Sequence, residues 1–521
     1  MNGAECLLRS LLQCGVDTCF MNPGTSEMQF VAALDRVEGM RSVLCLFEGV
    51  CSGAADGYAR MLRRPAATLL HLGPGLGNAL ANLHNARKAR SPVVNIVGQH
   101  TTQHLRYDAP LTADIEAFAR PVSGWIRTLQ RAEDMGVEAA AAVRAACAPP
   151  GQVATLIVPA DYSWSESAEP DGGEPAAVSQ PISRRSPRSE CVLGAASIMK
   201  SGECTGLLLG GAALLEAGLR AAGQLAASTG LRVFADRNGA RTERGQGTFA
   251  PQRVPYFPEP AEAALAGLKH LILVESLPPV SFFGYPGRRS TLAPEDCVVH
   301  VLAAIDENGT LALQELVHKF GASSASVPAQ EMARPKLPRG AALTLENIGL
   351  GLAEGMPEGS IVSDEMISAA EAILQNLAAA RPFTHLPITG GSIGQGLPVA
   401  VGAAVACPDR KVIALQADGS AMYTLQSLWT MARERLNIVV VIFANRRYRI
   451  LEIESRRTGA GEIGPRANDM MDLARPNLDW VKLAEGQEVP ACRATTSDEF
   501  IALFHAAVTQ AGPRLIEAVL E

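Results

Sequence analysis

The 521-residue chain has eleven cysteines but no CxxC pair and no metal-type cysteine spacing. That removes zinc-ribbon and disulfide-scaffold readings, and leaves the cysteines as small hydrophobes of a reducing cytoplasm. There is no basic block and no aromatic-plus-basic stripe. Lys and Arg number 46 against 53 Asp and Glu, for a formal net charge of −7, so nucleic acid is not an expected partner. No apolar run reaches membrane length. The longest, such as IVVVIFA (438–444), have the length of buried strands, so no membrane segment is expected. The N-terminus, MNGAECLLRSLLQCGVD, lacks a basic region leading into an apolar core and cleavage site, which argues against a signal peptide. The stretch GPGLG (73–77) reads as a glycine-rich turn of the form GxGxG, with no acidic residue at the ribose-binding distance. A nicotinamide site is therefore not expected there. No short-period repeat is present.

What the chain does have is length, and 47 % hydrophobic residues, enough for several cores. Two stretches rich in Pro, Ser, Gly and charge, 164–190 and 322–340, mark expected boundaries. They divide the chain into 1–165, 190–325 and 340–521. Each block alternates short apolar runs with helical patterns. The strand-like runs are DTCFMN, RSVLCLF, AATLLHL, SPVVNIVG and VATLIVPA in the first block, and TGLLLGG, LRVFAD, HLILVES and CVVHVLA in the second. The third has GSIVSD, RKVIALQAD, LNIVVVIFAN and PRLIEAVL. Near-continuous Val/Ile/Leu runs joined by helices imply parallel sheets covered on both faces. The fold class read from this is α/β, with three doubly wound parallel-sheet domains.

In the third block, KVIALQAD runs as a strand to Asp418. Gly419 and Ser420 follow, then a helical stretch AMYTLQSLWTMARER, then a strand ending at Asn445. One βαβ unit puts Asp418 and Asn445 at the carboxyl ends of two parallel strands, where open α/β sheets bind ligands. An acid and an amide offer hard oxygen ligands for Mg²⁺ or Ca²⁺ shared with phosphate groups. In the first block, Glu48 is a lone carboxylate closing an apolar strand and followed by GVCSGAA. A buried carboxylate needs a hydrogen-bonding partner.

The spacing from Asp-Gly-Ser to Asn resembles the thiamine-diphosphate motif of the 2-oxoacid decarboxylase and acetolactate synthase superfamily. The resemblance implies that Asp418, Asn445 and the backbone carbonyl of Arg447 hold Mg²⁺ on the diphosphate, with Gly419, Ser420 and Tyr448 beside the cofactor. TGGSIGQGLP (389–398) is similar to the family's strand-to-helix turn, which makes Gly391 a contact and Ile393 the apolar wedge under thiamine. FEGVCSGAADGYAR looks like the family's glutamate segment. It implies that Glu48 hydrogen-bonds a pyrimidine ring nitrogen, with a pKa raised by apolar burial. NPGTSEMQF, HLGPGLGNALANLHNARKARSP, GQH and LTADIE fall in order along the family pattern. Against benzoylformate decarboxylases, Thr25 stands where a substrate-contacting serine lies and His71 on an active-site histidine, a candidate proton relay. Leu111, Ile450, Leu451 and Glu454 would line the substrate pocket.

Several residues depart from the family pattern. Ala417 replaces the usual Gly. Arg446 and Arg447 follow Asn445, consistent either with an anionic substrate or with a solvated pair. The segment PPVSFFGYPG (278–287) has Phe282, Phe283 and Tyr285 where a second histidine is usual. LLLGGAAL lacks the fuller flavin signature, so FAD is not expected. The resemblance implies a thiamine-diphosphate-dependent lyase or carboligase acting on a 2-oxoacid. It also implies a cytoplasmic homo-oligomer, dimer or tetramer, with active sites at the subunit interface. A flavin-linked oxidase and an inert or regulatory cofactor-binding homologue are the alternatives.

Overall fold

The structure, a computed structural model, describes residues 1–167, 184–328, 337 and 340–520. The compositional breaks expected at 164–190 and 322–340 lie partly outside the described residues.

Three sheets organise those residues. The first holds β1 (Thr18–Asn22), β2 (Arg41–Leu44), β3 (Ala66–Leu70), β4 (Val93–Gln99), β5 (Trp125–Thr128) and β6 (Val153–Pro159). Its order is β2-β1-β3-β4-β6-β5, all parallel. In the second segment, β7 (Thr205–Leu209) and β8 (Arg232–Ala235) begin a sheet and β9 (Thr242–Arg244) leaves it. The sheet is completed by β10 (Gln252–Arg253), β11 (His270–Val274) and β12 (Val298–Ala303), in the order β10-β8-β7-β11-β12. The third sheet takes β13 (Ile361–Glu365), β14 (Phe383–Pro387), β15 (Val412–Ala417), β16 (Ile438–Ala444), β17 (Ala491–Ala494) and β18 (Arg514–Val519). Its order is β17-β18-β16-β15-β13-β14-β9.

The expected α/β architecture is present. Strands such as VVNIVGQ and IVVVIFA are buried at every position because helices cover both faces. One pairing breaks the parallel rule: β9 runs antiparallel to β14, with Glu243 opposite Thr384. The middle of the chain thus supplies the edge of the third sheet.

Two glycine-bearing helices press the first and third layers together. In the contact between Glu48–Leu62 and Gly396–Ala406, a Cβ on Gly402 would lie 1.8 Å from the Ala54 carbonyl oxygen. One on Gly57 would lie 2.2 Å from that of Val399. Only glycine lets the backbones approach this closely. Arg60 seals the contact. It bonds Asp56, the Pro387 carbonyl at 2.8 Å and Thr389 Oγ1 at 2.9 Å, while Asp56 also accepts from Ser91 and Gln395. The ion pair is fully buried and its neighbours satisfy its remaining polar atoms.

Three local expectations are corrected. The stretch 421–435 is not one helix: Asp418–Ala421, a 3₁₀ turn Met422–Thr424 and Ser427–Arg433 follow one another. Thr424 is tied sideways there, its hydroxyl donating to the Gly394 carbonyl at 3.0 Å. GPGLG is not a turn but the start of the helix Leu72–Ala89, where Pro74 falls in the first turn and loses no intrahelical bond. Glu48 does not close a strand: β2 ends at Leu44, and Glu48 is the first residue of its helix.

Candidate active site

Glu48 sits at the helix start with Phe47 extended before it, an acid among unbonded first-turn N–H groups. It is 6 % exposed. Asn78 Nδ2 donates to its Oε2 at 3.0 Å, and its Oε1 faces Gly75, where a Cβ would lie 3.1 Å away. Both neighbours belong to the helix opened by GPGLGN. The glycine-rich segment therefore shapes the space around this carboxylate.

His71 caps the same helix. Its Nδ1 lies 2.8 Å from Glu27 Oε2, and Ser26 Oγ is 3.3 Å from that nitrogen. Glu27 is buried. It also accepts from the Gly24 amide at 2.8 Å and from Ser26 Oγ at 2.9 Å. Thr25 is exposed, so the hydroxyl placed against His71 is that of Ser26. Sequence reading missed Ser26 and Glu27, which stand in NPGTSEMQF beside Thr25 without a role of their own. The available signal was Pro-Gly followed three residues later by an acid. Leu111 is exposed and holds a left-handed φ of 74° that leucine seldom adopts.

The second group lies at the carboxyl edge of β15 and β16, where Ala417 stands opposite Phe443. Asp418 is buried. Its Oδ1 accepts from Gly419 N at 2.9 Å and its Oδ2 from Arg446 N at 2.6 Å. Burial still pushes its carboxyl up to about 6. Asn445 Oδ1 accepts from Arg447 N at 3.0 Å. The Tyr448 ring covers Gly419, where a Cβ would meet Cε1 at 2.5 Å, and Ser420 Oγ bonds the Ala417 carbonyl at 3.1 Å.

The Arg447 side chain is engaged by Glu452 and Asn468, so it does not neutralise Glu454. Glu454 instead accepts the Tyr285 hydroxyl, at 3.0 and 3.1 Å. Ile450 is half-buried and Leu451 exposed on the same helix.

Among the described residues, no three His, Cys, Asp or Glu side chains form a metal cluster. The donors here are one carboxylate, one amide and backbone carbonyls. A carboxylate left short of compensating charge by burial fits a divalent cation completed by phosphate oxygens.

The turn 389–396 joins the two groups. Gly391 and Gly394 have φ of 78° and 91°. Asn85 grips Ser392 at both its N–H and its carbonyl, and His84 Nε2 donates to the Gly390 carbonyl at 3.1 Å. Asn82 Nδ2 bonds both Gly394 O at 3.1 Å and Gly49 O at 2.8 Å, next to Glu48. Ile393 is half-buried at the apex, and Phe282 lies against Gly391. Among the described residues, no hydrogen bond joins Glu48 or His71 to Asp418, Asn445 or Tyr448.

A cavity of about 580 Å³ is lined by neither group: Glu48, His71, Asp418, Asn445 and Tyr448 all stand outside it. Its wall includes Arg63, Lys88, Arg90, Arg237 and Phe282, and it reaches Thr389 and Gly390. Arg63 and Arg90 each end a helix in the left-handed conformation, where glycine is usual. Burial and the charge of Arg184 lower the pKa of both.

Residues 1–118 match the thiamine pyrophosphate enzyme N-terminal TPP binding domain, and residues 369–518 the C-terminal TPP binding domain. The chain is 49 % identical to IlvX of Mycobacterium tuberculosis, a protein named provisionally as an acetolactate synthase large subunit. That alignment covers 100 % of this chain and 99 % of IlvX. It is 28 % identical to benzoylformate decarboxylase of Pseudomonas aeruginosa over 96 % of each chain. Among solved structures, the thiamine diphosphate-dependent 4-hydroxybenzoylformate decarboxylase of Rhodococcus jostii superposes with a TM-score of 0.84. It has 25 % identity, covering 99 % of this chain and 98 % of that one.

Proposed function

Because the chain belongs to the thiamine pyrophosphate enzymes, as a decarboxylase or acetolactate-synthase-like member, we propose that it decarboxylates a 2-oxoacid. The product is an aldehyde, or an acyloin when a second carbonyl is joined on. Bound thiamine diphosphate supplies the electron sink for the carbon–carbon cleavage. The observation that carries the reading is the Glu48 carboxylate: buried, bonded by Asn78, with its second oxygen turned to the space beside Gly75.

In this reading Glu48 holds a proton at a pyrimidine ring nitrogen. Asp418, Asn445 and the Arg447 carbonyl hold Mg²⁺ and the diphosphate. Gly391 gives backbone approach and Ile393 supports the rings, with Gly419, Ser420 and Tyr448 beside them. His71 Nε2 delivers or removes a proton at the reacting carbon. Ser26 or Thr25 contacts the substrate, and Leu111, Ile450 and Leu451 line its apolar side. Membership of this family supports a homo-oligomer, dimer or tetramer, with active sites at the subunit interface. Eleven free thiols support a cytoplasmic location. Among the described residues, no helix is long and apolar enough to cross a membrane.

Release of CO₂ from a panel of 2-oxoacids tests the reading, with Glu48→Gln as the control that keeps cofactor binding and loses turnover. No turnover of any 2-oxoacid by the loaded protein would favour an inert or regulatory homologue. The arginine-lined cavity favours one second reading, a flavin-linked oxidase, because it could take an anionic cofactor. A colourless purified protein with no flavin requirement removes it.

A further inference from the structure

The turn 389–396 is also held from beneath by β13. Ser363 Oγ donates to the Gly396 carbonyl at 2.7 Å. Glu365, the last residue of that strand, accepts the Gly394 amide on Oε1 and the Gly396 amide on Oε2, each at 2.5 Å. Glu365 is 1 % exposed. Both oxygens of a buried carboxyl group are committed to two amides of one turn.

Directly opposite Glu365, in register on β15, stands Gln416. It is 0 % exposed, and neither its Nε2 nor its Oε1 has a hydrogen-bond partner among the described residues. Its amide presses on the same turn: a Cβ on Gly396 would lie 2.2 Å from Nε2 and 2.6 Å from Oε1. A buried amide without a partner is costly compared with an apolar side chain of the same size. A cost kept at such a place points to a second state in which the amide is bonded.

We propose that Glu365 and Gln416 are positioning residues for the cofactor, a two-strand polar floor that sets the shape of the turn and so the height of Ile393. When a ligand seats on Ile393, the turn settles. Gln416 Nε2 then donates to the Glu365 carboxyl group across the strands, and Gly394–Gly396 is locked. The proposal rests on the reading of 389–396 as a cofactor contact.

Calorimetric titration with thiamine diphosphate and Mg²⁺, alongside thermal melting of the cofactor-free protein, tests it. Gln416→Met is expected to raise the melting temperature of the cofactor-free chain and to weaken cofactor binding about tenfold. Stability and affinity then move in opposite directions, which a merely structural role does not produce. Unchanged affinity overturns the proposal. So does a lowered melting temperature, which would show the amide already bonded without cofactor. Glu365→Gln offers an amide NH₂ to one of the two N–H donors. It is expected to weaken binding and to speed hydrogen exchange at Gly394 and Gly396, and wild-type affinity and exchange would overturn the proposal. If the wild-type chain binds no thiamine diphosphate, the reading of the turn fails and takes the proposal with it. If wild type and both variants bind alike, the proposal alone fails.

Discussion

The Glu27 carboxylate lies 2.8 Å from His71 Nδ1 and also takes the Gly24 amide and the Ser26 hydroxyl. An ionised carboxylate accepts and does not donate, so the bond makes Nδ1 the proton-bearing nitrogen and leaves Nε2 to exchange protons. Glu27→Gln should lower turnover by about a hundredfold, the scale of a misplaced general acid–base group. Cofactor affinity should stay at the wild-type value while the pH–rate profile shifts. A variant with wild-type turnover and pH profile would remove Glu27 from the relay.

The same pair explains Gly98. A Cβ there would fall 1.7 Å from Glu27 Oε1, so the carboxylate occupies the space a side chain would need. Gly98→Ala should destabilise the fold by about 1–3 kcal/mol through overpacking, and should depress turnover as Glu27→Gln does. Urea denaturation and steady-state kinetics on one preparation check both.

Asp418 separates binding from stability. Burial holds its carboxyl near 6 without cofactor, so the charge is carried at a cost in that state. Asp418→Ala should leave the cofactor-free melting temperature equal or higher and abolish Mg²⁺-dependent binding of thiamine diphosphate. Calorimetry of the variant with and without Mg²⁺ checks it, and retained metal-dependent binding would place the metal elsewhere.

Two buried groups oppose each other as pH changes. Burial pushes His385 from 6.5 down to about 4 and Glu365 from 4.5 up to about 7. The His385 contribution is whole above pH 6.5 and is lost as pH falls toward 4, because the unfolded chain takes up the proton first. The Glu365 contribution is whole below pH 4.5 and is lost as pH rises toward 7, and Asp418 follows the same sign. Between pH 4.5 and 6.5 these slopes partly cancel. His385→Gln should leave stability falling with rising pH more steeply than in wild type, measured by denaturant melts of the cofactor-free protein. Parallel profiles would contradict it.

Arg60 and Asp56 form a buried pair tied to both the first and third layers. Arg60→Met leaves Asp56 charged and partly unpaired in an apolar contact. About 3–5 kcal/mol of stability should be lost, read as a lower urea midpoint.

Much of this was legible in the sequence. The long Val/Ile runs became central strands, and the 27-residue spacing did put Asp418 and Asn445 side by side. The strands that escaped notice are short or mixed. WIRT and ACRA lie at sheet edges with partial burial, and FTHLP carries a histidine and a proline. The strand before Glu48 reads three residues too long, to Phe47, because VLCLF stays apolar after the strand has ended at Leu44. Ser26 and Glu27 were passed over because their partner, His71, is brought to them only by the pairing of β1 with β3. Gln416 reads as an ordinary strand residue until its register opposite Glu365 is known.

The pairing of β9 with β14 limits how this chain can be recombined. Glu243 and Thr384 are 141 residues apart and are also joined through their side chains. Replacing 190–325 with the equivalent piece of a relative therefore imports a foreign selvedge for the sheet that carries Asp418 and Asn445. Deleting that stretch would leave β14 with a raw edge open to pairing with other chains. Chimeras should keep 242–244 together with 383–387, so the unit of exchange is not the stretch between the two compositional breaks.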